Sequence, residues 1–128
     1  MNPTPLSVCI ITYNEEENLP RCLASVAFAE EIVVVDSQST DRTVDIARQA
    51  GCRVISQPSL GYVAQKNLAL QHASHQWVLC LDADEWLRPG AAATIQATLA
   101  TRAPDVAGYS LKRHTYYLGD WVNHSGWW

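Results

Sequence analysis

The apolar positions of this chain fall into short, nearly unbroken runs. Leu6 to Thr12, Ile32 to Asp36, Cys52 to Ser56 and Trp77 to Asp82 each read as a strand rich in Val, Ile and Leu. A strand with one wet face alternates apolar and polar residues, whereas one covered on both faces is apolar throughout. The four runs therefore read as strands covered on both faces. Helical spacing separates them. Leu19, Cys22, Leu23 and Val26 mark a first helix. Val44, Ala47 and Ala50 mark a second, with Ser39 or Thr40 as its N-cap and Gly51 as its stop. Ala64, Leu68 and Ala69 mark a third, from about Tyr62 to Ala73. The alternation of strand and helix predicts an α/β, Rossmann-like fold with a mainly parallel sheet and right-handed crossovers. Pro89 to Thr101 is alanine-rich and opens with a proline, which suits the first turn of another helix. After Pro104 the pattern shifts. Val106 to His114 reads as a strand, and six of the eleven aromatic residues lie between Tyr109 and Trp128.

The chain has 128 residues, enough for one domain spanning 1–128. Hydrophobic residues at 48% and charged residues at 17% exclude intrinsic disorder. A net charge of -4 and the lack of a basic run argue against a nucleic-acid partner. The apolar runs are far shorter than the roughly 20 residues of a membrane helix, so no transmembrane segment is expected. The N-terminal residues lack the basic and apolar regions of a signal peptide. Cysteines at 9, 22, 52 and 80 have no zinc-site spacing, and three lie in apolar runs, where a cysteine is usually a small buried hydrophobe. A reduced, cytoplasmic protein is the expectation.

Open parallel sheets bind ligands at the carboxyl ends of their strands. Here those ends are polar. The first is Thr12-Tyr13-Asn14-Glu15, the second Asp36-Ser37-Gln38-Ser39-Thr40-Asp41, and the fourth Asp82-Ala83-Asp84-Glu85. The first turn, from Asn14 to Asn18, holds three glutamates and no glycine. A dinucleotide site wants a glycine-rich turn whose amides approach a pyrophosphate, so that class is disfavoured. A phosphorylated ligand then needs a cation. Asp82 and Asp84, two apart at a strand end, offer hard oxygens on one side for Mg²⁺ or Mn²⁺. D-x-D alone is also a common solvated turn; the other acidic strand ends are what favour the ligand reading. Asp36 closes an apolar strand and suits a ribose or base N–H, while Ser39 and Asp41 also suit helix capping. Lys66 on the third helix is a candidate for a phosphate, against the ordinary reading of a solvated lysine. The four histidines show no ligand spacing, and Cys80 has no base beside it to make it a nucleophile.

These residues resemble a family. The runs Leu6 to Leu19, Ile32 to Thr43 and Leu79 to Glu85 are similar, in order and spacing, to family 2 glycosyltransferases of the GT-A fold. Gly61 to Asn67 and the ending from Gly119 to Trp128 are similar to the lipopolysaccharide core β-1,4-glucosyltransferase branch. The resemblance implies a nucleotide-sugar site. Thr12, Tyr13, Asn14 and Glu15 would lie beside base and ribose, Asp36 would hold the base, and strand one would run between strands two and four. Ser39 and Lys66 join the donor-binding set. Asp82 and Asp84 would form the D-x-D motif, with Asp84 on the metal and Asp82 supporting ribose or metal. The donor implied is a nucleotide-diphosphate sugar, a UDP-sugar foremost. The acceptor implied is a glycan or lipid A-core. Transfer would be inverting and metal-assisted, at the cytoplasmic face of the inner membrane or free in the cytoplasm. The family's catalytic base lies beyond D-x-D. Only Asp105 and Asp120 are acidic after Glu85, and neither sits in a matching motif, so the base is unknown. The chain reads as a donor-binding half whose acceptor half would lie past Trp128, and binding without turnover is the alternative function. The aromatic tail from Tyr116 to Trp128 is a candidate for the acceptor side. A D-x-D-x-T phosphatase is disfavoured by Trp86 at the fifth position, and a nucleotidyltransferase by the lack of a glycine- and arginine-rich loop after strand one.

Overall fold

The computed structural model describes residues 4–101 and 108, and the backbone of 113–117 and 120–124. Four strands, β1 (Leu6–Thr12), β2 (Glu31–Asp36), β3 (Arg53–Ser56) and β4 (Trp77–Asp82), form one sheet in the order β3-β2-β1-β4. Every pairing in it is parallel. The helices between and after them are α1 (Leu19–Ser25), α2 (Thr43–Gln49), α3 (Tyr62–His72) and α4 (Ala91–Ala100). Two further strands, β5 (Arg113–Tyr117) and β6 (Asp120–His124), pair antiparallel as a separate ribbon. Most of the strand expected over Val106 to His114, and the side chains of the aromatic tail, lie outside the described residues.

The unbroken apolar runs have the expected cause, since each sheet face is covered. Leu6, Val8, Ile10, Val34, Leu79 and Leu81 face one cluster, with Leu19, Cys22, Leu23 and Val26 of the α1 region, Ala47 of α2 and Leu99 of α4. Cys9, Val33 and Val35 face the other, under Ala69 of α3, with Leu68 and Ile55 packed against it. Alternate residues of β1 thus enter opposite cores, and all but one of its seven positions are buried.

Some local expectations shift. The second helix starts at Thr43, not after Ser39 or Thr40, because those residues are engaged by the first loop. Its inward side is Thr43, Ile46 and Ala47, with Ala50 exposed. Pro89 precedes α4, and Gly90 at φ 88° turns the chain into it. Gly51 at φ 83° ends α2 as expected. On α3, Gln65 is only 3% exposed, an inward polar residue that apolar spacing does not reveal.

Candidate functional site: the carboxyl edge of the sheet

Register sets the stage. Thr12 of β1 stands level with Asp36 of β2, and Ile11 stands level with Asp82 of β4. Asp36 and Asp82 therefore flank β1 at nearly one height, two interstrand steps or about 10 Å apart.

The β1 and β2 ends are laced together. The Asp36 carboxylate is 1% exposed. Its Oδ1 accepts the Thr12 hydroxyl at 2.7 Å and the Ser39 hydroxyl at 2.6 Å, and its Oδ2 accepts the Ser39 N–H at 2.8 Å. The loops beyond exchange backbone N–H groups for side-chain oxygens. Asn14 N–H donates to Ser39 Oγ at 2.8 Å, and Thr40 N–H donates to Asn14 Oδ1 at 2.8 Å. Glu15 N–H goes to Thr43 Oγ1 at 2.8 Å and Glu16 N–H to Asp41 Oδ2 at 3.2 Å. Arg42 N–H returns to Glu16 Oε2 at 3.3 Å. Asn14 and Gln38 hold positive φ, 50° and 59°, a strain that such over-determined loops sustain. One consequence is chemical: the three amides that a phosphate cradle at this turn would use are already donated. Tyr13, 59% exposed, projects from the same turn.

The β4 end is looser. Asp82 is half-buried and Asp84 exposed, with Ala83 buried between them. The strand ends at Asp82, and Asp84 stands on a turn closed by Glu85 N–H to the Asp82 carbonyl at 2.9 Å. Strand pleating thus does not by itself align the two acids; the inward Ala83 turns both outward. Glu85 Oε1 accepts the Asp82 N–H at 2.8 Å. Tyr62, at the start of α3, donates its hydroxyl to Asp82 Oδ1 at 2.9 Å and Oδ2 at 3.2 Å. Burial and the Asp82 carboxylate raise the Tyr62 hydroxyl pKa against the opposing Lys66 ammonium, which keeps it a donor. Lys66 lies over the Tyr62 ring, 4.7 Å from its centroid. Gln65 links the two halves of the edge, donating to Ser37 Oγ at 2.9 Å and accepting the Leu60 N–H at 3.3 Å.

The structure thus gathers Thr12, Asn14, Glu15, Asp36 and Ser39 in one network, and Lys66 and Asp82 in a second through Tyr62. Asp84 stands apart on its turn. Sequence reasoning passed over Tyr62, Gln65 and Trp86. The last is 38% exposed, with the Arg21 guanidinium 4.2 Å above its ring. A glycine before a helix whose first turns carry polar residues was the available signal for the first two. Among the described residues no three His, Cys, Asp or Glu side chains form a preformed metal cage. Asp82 and Asp84, two residues apart in the chain, still have the hard-oxygen chemistry of Mg²⁺ or Mn²⁺, which take remaining ligands from water and phosphate. The cysteines are poor nucleophiles: burial pushes Cys9 and Cys22 up to about 12 and Cys52 to about 11. A groove of about 720 Å³ lies at the opposite, amino end of the sheet, between the C-terminal ends of α1 and α2. It is remote from these acids.

A parallel sheet with an acidic carboxyl edge in place of a glycine cradle is the architecture of GT-A glycosyltransferases, and solved members superpose on it. The S. aureus TarS 1-349 chain matches with a TM-score of 0.68 at 28% identity, over 76% of this chain and 32% of that one. A Pyrobaculum calidifontis mannosyltransferase in complex with GDP-Man and Mn²⁺ matches with a TM-score of 0.66 at 26% identity, over 83% and 36%. The glycosyl transferase family 2 model matches residues 7–128, and the chain belongs to that family. An uncharacterized glycosyltransferase of Rickettsia typhi is 41% identical over 117 residues, covering 90% of this chain and 40% of its own. A lipopolysaccharide core biosynthesis glycosyltransferase of Rhizobium meliloti is 37% identical over 120 residues, covering 90% and 44%. The chain spans about two fifths of the length of these relatives. Among the described residues no helix is long and apolar enough to cross a membrane.

Proposed function

We propose that this chain binds the donor for a metal-assisted, inverting transfer of sugar from a nucleotide-diphosphate sugar, a UDP-sugar foremost, to a lipopolysaccharide-core or other glycan acceptor. The observation that carries this reading is the split edge. On the β1–β2 side the loop amides are spent on the protein itself. On the β4 side Asp84 is exposed and Asp82 is half-buried beneath the Tyr62 hydroxyl. Diphosphate charge is then managed by a cation on Asp84, supported by Asp82, rather than by backbone N–H groups. Thr12, Tyr13, Asn14, Glu15 and Ser39 frame the nucleoside. Asp36 Oδ2, which accepts one protein hydrogen bond, keeps acceptor capacity for a base N–H. Lys66 adds a positive charge near the phosphates. Bound there, the metal would stabilise negative charge on the departing nucleoside diphosphate. The mannosyltransferase solved with GDP-Man and Mn²⁺ and the TarS chain solved with UDP support the donor class, and the lipopolysaccharide core relative supports the acceptor class. Four free cysteines support a reducing, cytoplasmic compartment, with peripheral contact at the inner membrane left to the acceptor side.

Calorimetric titration of the chain with UDP, with and without Mn²⁺, tests this. Binding is expected to require the metal. Asp84→Asn should remove that requirement together with most of the affinity, with the circular dichroism spectrum unchanged. Metal-independent binding that Asp84→Asn leaves intact would remove this residue from the site. The alternative reading is donor binding by these 128 residues without turnover. Acceptor-dependent UDP release from a UDP-sugar by the chain alone would end it and direct attention to Asp105 and Asp120 as bases.

A further inference from the structure

Tyr62 has no role in the proposed sugar transfer, yet its hydroxyl rests on Asp82. We propose that Tyr62 sets donor affinity at this site: its hydroxyl occupies the Asp82 carboxylate, and a nucleoside diphosphate binds by displacing it. The inference rests on the donor-site reading of Asp82. The hydroxyl reaches both carboxylate oxygens, at 2.9 and 3.2 Å, and so covers the fork between them. A ribose diol or a cation needs that fork. The tyrosine is free to leave it. Its side chain is 53% exposed, and swinging into solvent opens no cavity in either core.

The helix that carries it stays behind. Gln65, one turn on, is buried and tied to Ser37 at the end of β2 and to the Leu60 N–H. Departure of Tyr62 is therefore a side-chain rotation rather than a helix movement. Lys66 couples this rotation to the ligand. Its ammonium rests 4.7 Å from the ring centroid, a contact that is weak at an exposed site. A diphosphate offers the same cation charge-assisted hydrogen bonds, about twice as strong as neutral ones. Phosphate entry draws the ammonium from the ring and loosens the hydroxyl from Asp82. While the hydroxyl sits in place, only a fraction of the molecules is competent, and apparent affinity falls by that fraction.

The test is a set of UDP titrations with Mn²⁺ on the 128-residue chain and its variants. Tyr62→Phe keeps the ring and Lys66 stacking but loses the hydroxyl; UDP is expected to bind about three- to tenfold more tightly. Tyr62→Ala should tighten it as well. Asp82→Ala weakens binding, and on that background Tyr62→Phe should change nothing, because the contact it removes is already gone. A merely structural role for Tyr62 would leave affinity unchanged or lower it, and either result with Tyr62→Phe overturns the proposal while the donor site stands. Failure of all these proteins to bind UDP would overturn the donor-site reading and this inference together.

Discussion

The two ends of β2 carry the same functional group in opposite settings. At its amino end Glu31 is partly exposed and accepts three hydrogen bonds. Oε1 accepts the Ser7 hydroxyl at 2.8 Å and the Ser74 N–H at 2.7 Å, and Oε2 accepts the Ser74 hydroxyl at 2.8 Å. His75 N–H closes the ring on Ser7 Oγ at 3.3 Å. Burial alone would raise the Glu31 carboxyl, but the Ser74 N–H and hydroxyl, the Ser7 hydroxyl and nearby His75 together hold it below the usual range. At the carboxyl end Asp36 is also bonded, but its partners, Thr12 at the end of β1 and Ser39 in the loop after β2, adjoin segments that carry positive φ at Asn14 and Gln38 and open onto exposed Tyr13. Across β1, the Asp82 carboxylate accepts the hydroxyl of an exposed tyrosine, and its N–H is tied into the adjoining turn. A carboxylate at a strand end is thus a staple where short segments without positive φ hold it. It becomes a candidate binding group where its partners are strained or displaceable.

Substituting each acid is the direct way to break that comparison. Asp36→Ala should have the largest effect. It leaves the Thr12 hydroxyl and the Ser39 N–H without their acceptor inside a buried network, costing roughly 2–3 kcal/mol of stability. UDP affinity should fall about tenfold or more, since a hydrogen bond to a charged acceptor is worth about 1.5–3 kcal/mol. Chemical denaturation and calorimetry read the two effects separately. Lost stability with intact affinity would make Asp36 a staple like Glu31.

Glu31→Gln should act on stability alone, by about 1 kcal/mol for a partly exposed network, with UDP affinity unchanged. The pH dependence fixes its origin. The folded-state pKa of Glu31 is depressed, so the unfolded chain takes up its proton first as pH falls. The stabilisation is complete above the ordinary value of 4.5 and is lost as pH drops below it. The Gln variant should therefore lose part of the acid-limb slope seen in the parent. An unchanged slope would assign acid sensitivity to other carboxylates.

How much of this could be read from the chain alone follows from the same contrast. β1 and β2 were legible because covered strands need apolar residues at nearly every position, whereas the edge strand β3 carries exposed Arg53 and Ser56; β1 and β4 fall on their expected bounds. Strand order along the sheet followed only from resemblance, since periodicity is blind to which strands are neighbours. The end of α2 was legible in Gly51, a left-handed position. Its start was not: Ser39 and Thr40 have capping chemistry, yet the first loop claims them, and that pairing spans about 25 residues. The same blindness hid Tyr62. Nothing near it in sequence announces a partner twenty residues on, at the end of another strand. Asp36 and Glu31 look alike as acids bounding an apolar run, and only the loops opposite distinguish them.

The smallest expected effect tests the strain assigned to the carboxyl edge. Gln38 and Asn14 both hold left-handed backbone, but for different reasons. Asn14 adopts that region at modest cost and uses it, since its Oδ1 accepts the Thr40 N–H. Gln38 is exposed, and its long side chain gains nothing comparable there. A left-handed non-glycine residue costs roughly 1–2 kcal/mol, and glycine's extra chain entropy gives back about 0.5–1 kcal/mol of that relief. Gln38→Gly should therefore stabilise the chain by about 0.5 kcal/mol, a rise in Tm of roughly 2 °C. Asn14→Gly should destabilise it, because the Thr40 N–H loses its acceptor. Thermal melts of the pair decide the matter. If Gln38→Gly lowers Tm, the side chain of Gln38 is supporting the loop, and the strain that separates the two ends of β2 resides in Asn14 alone.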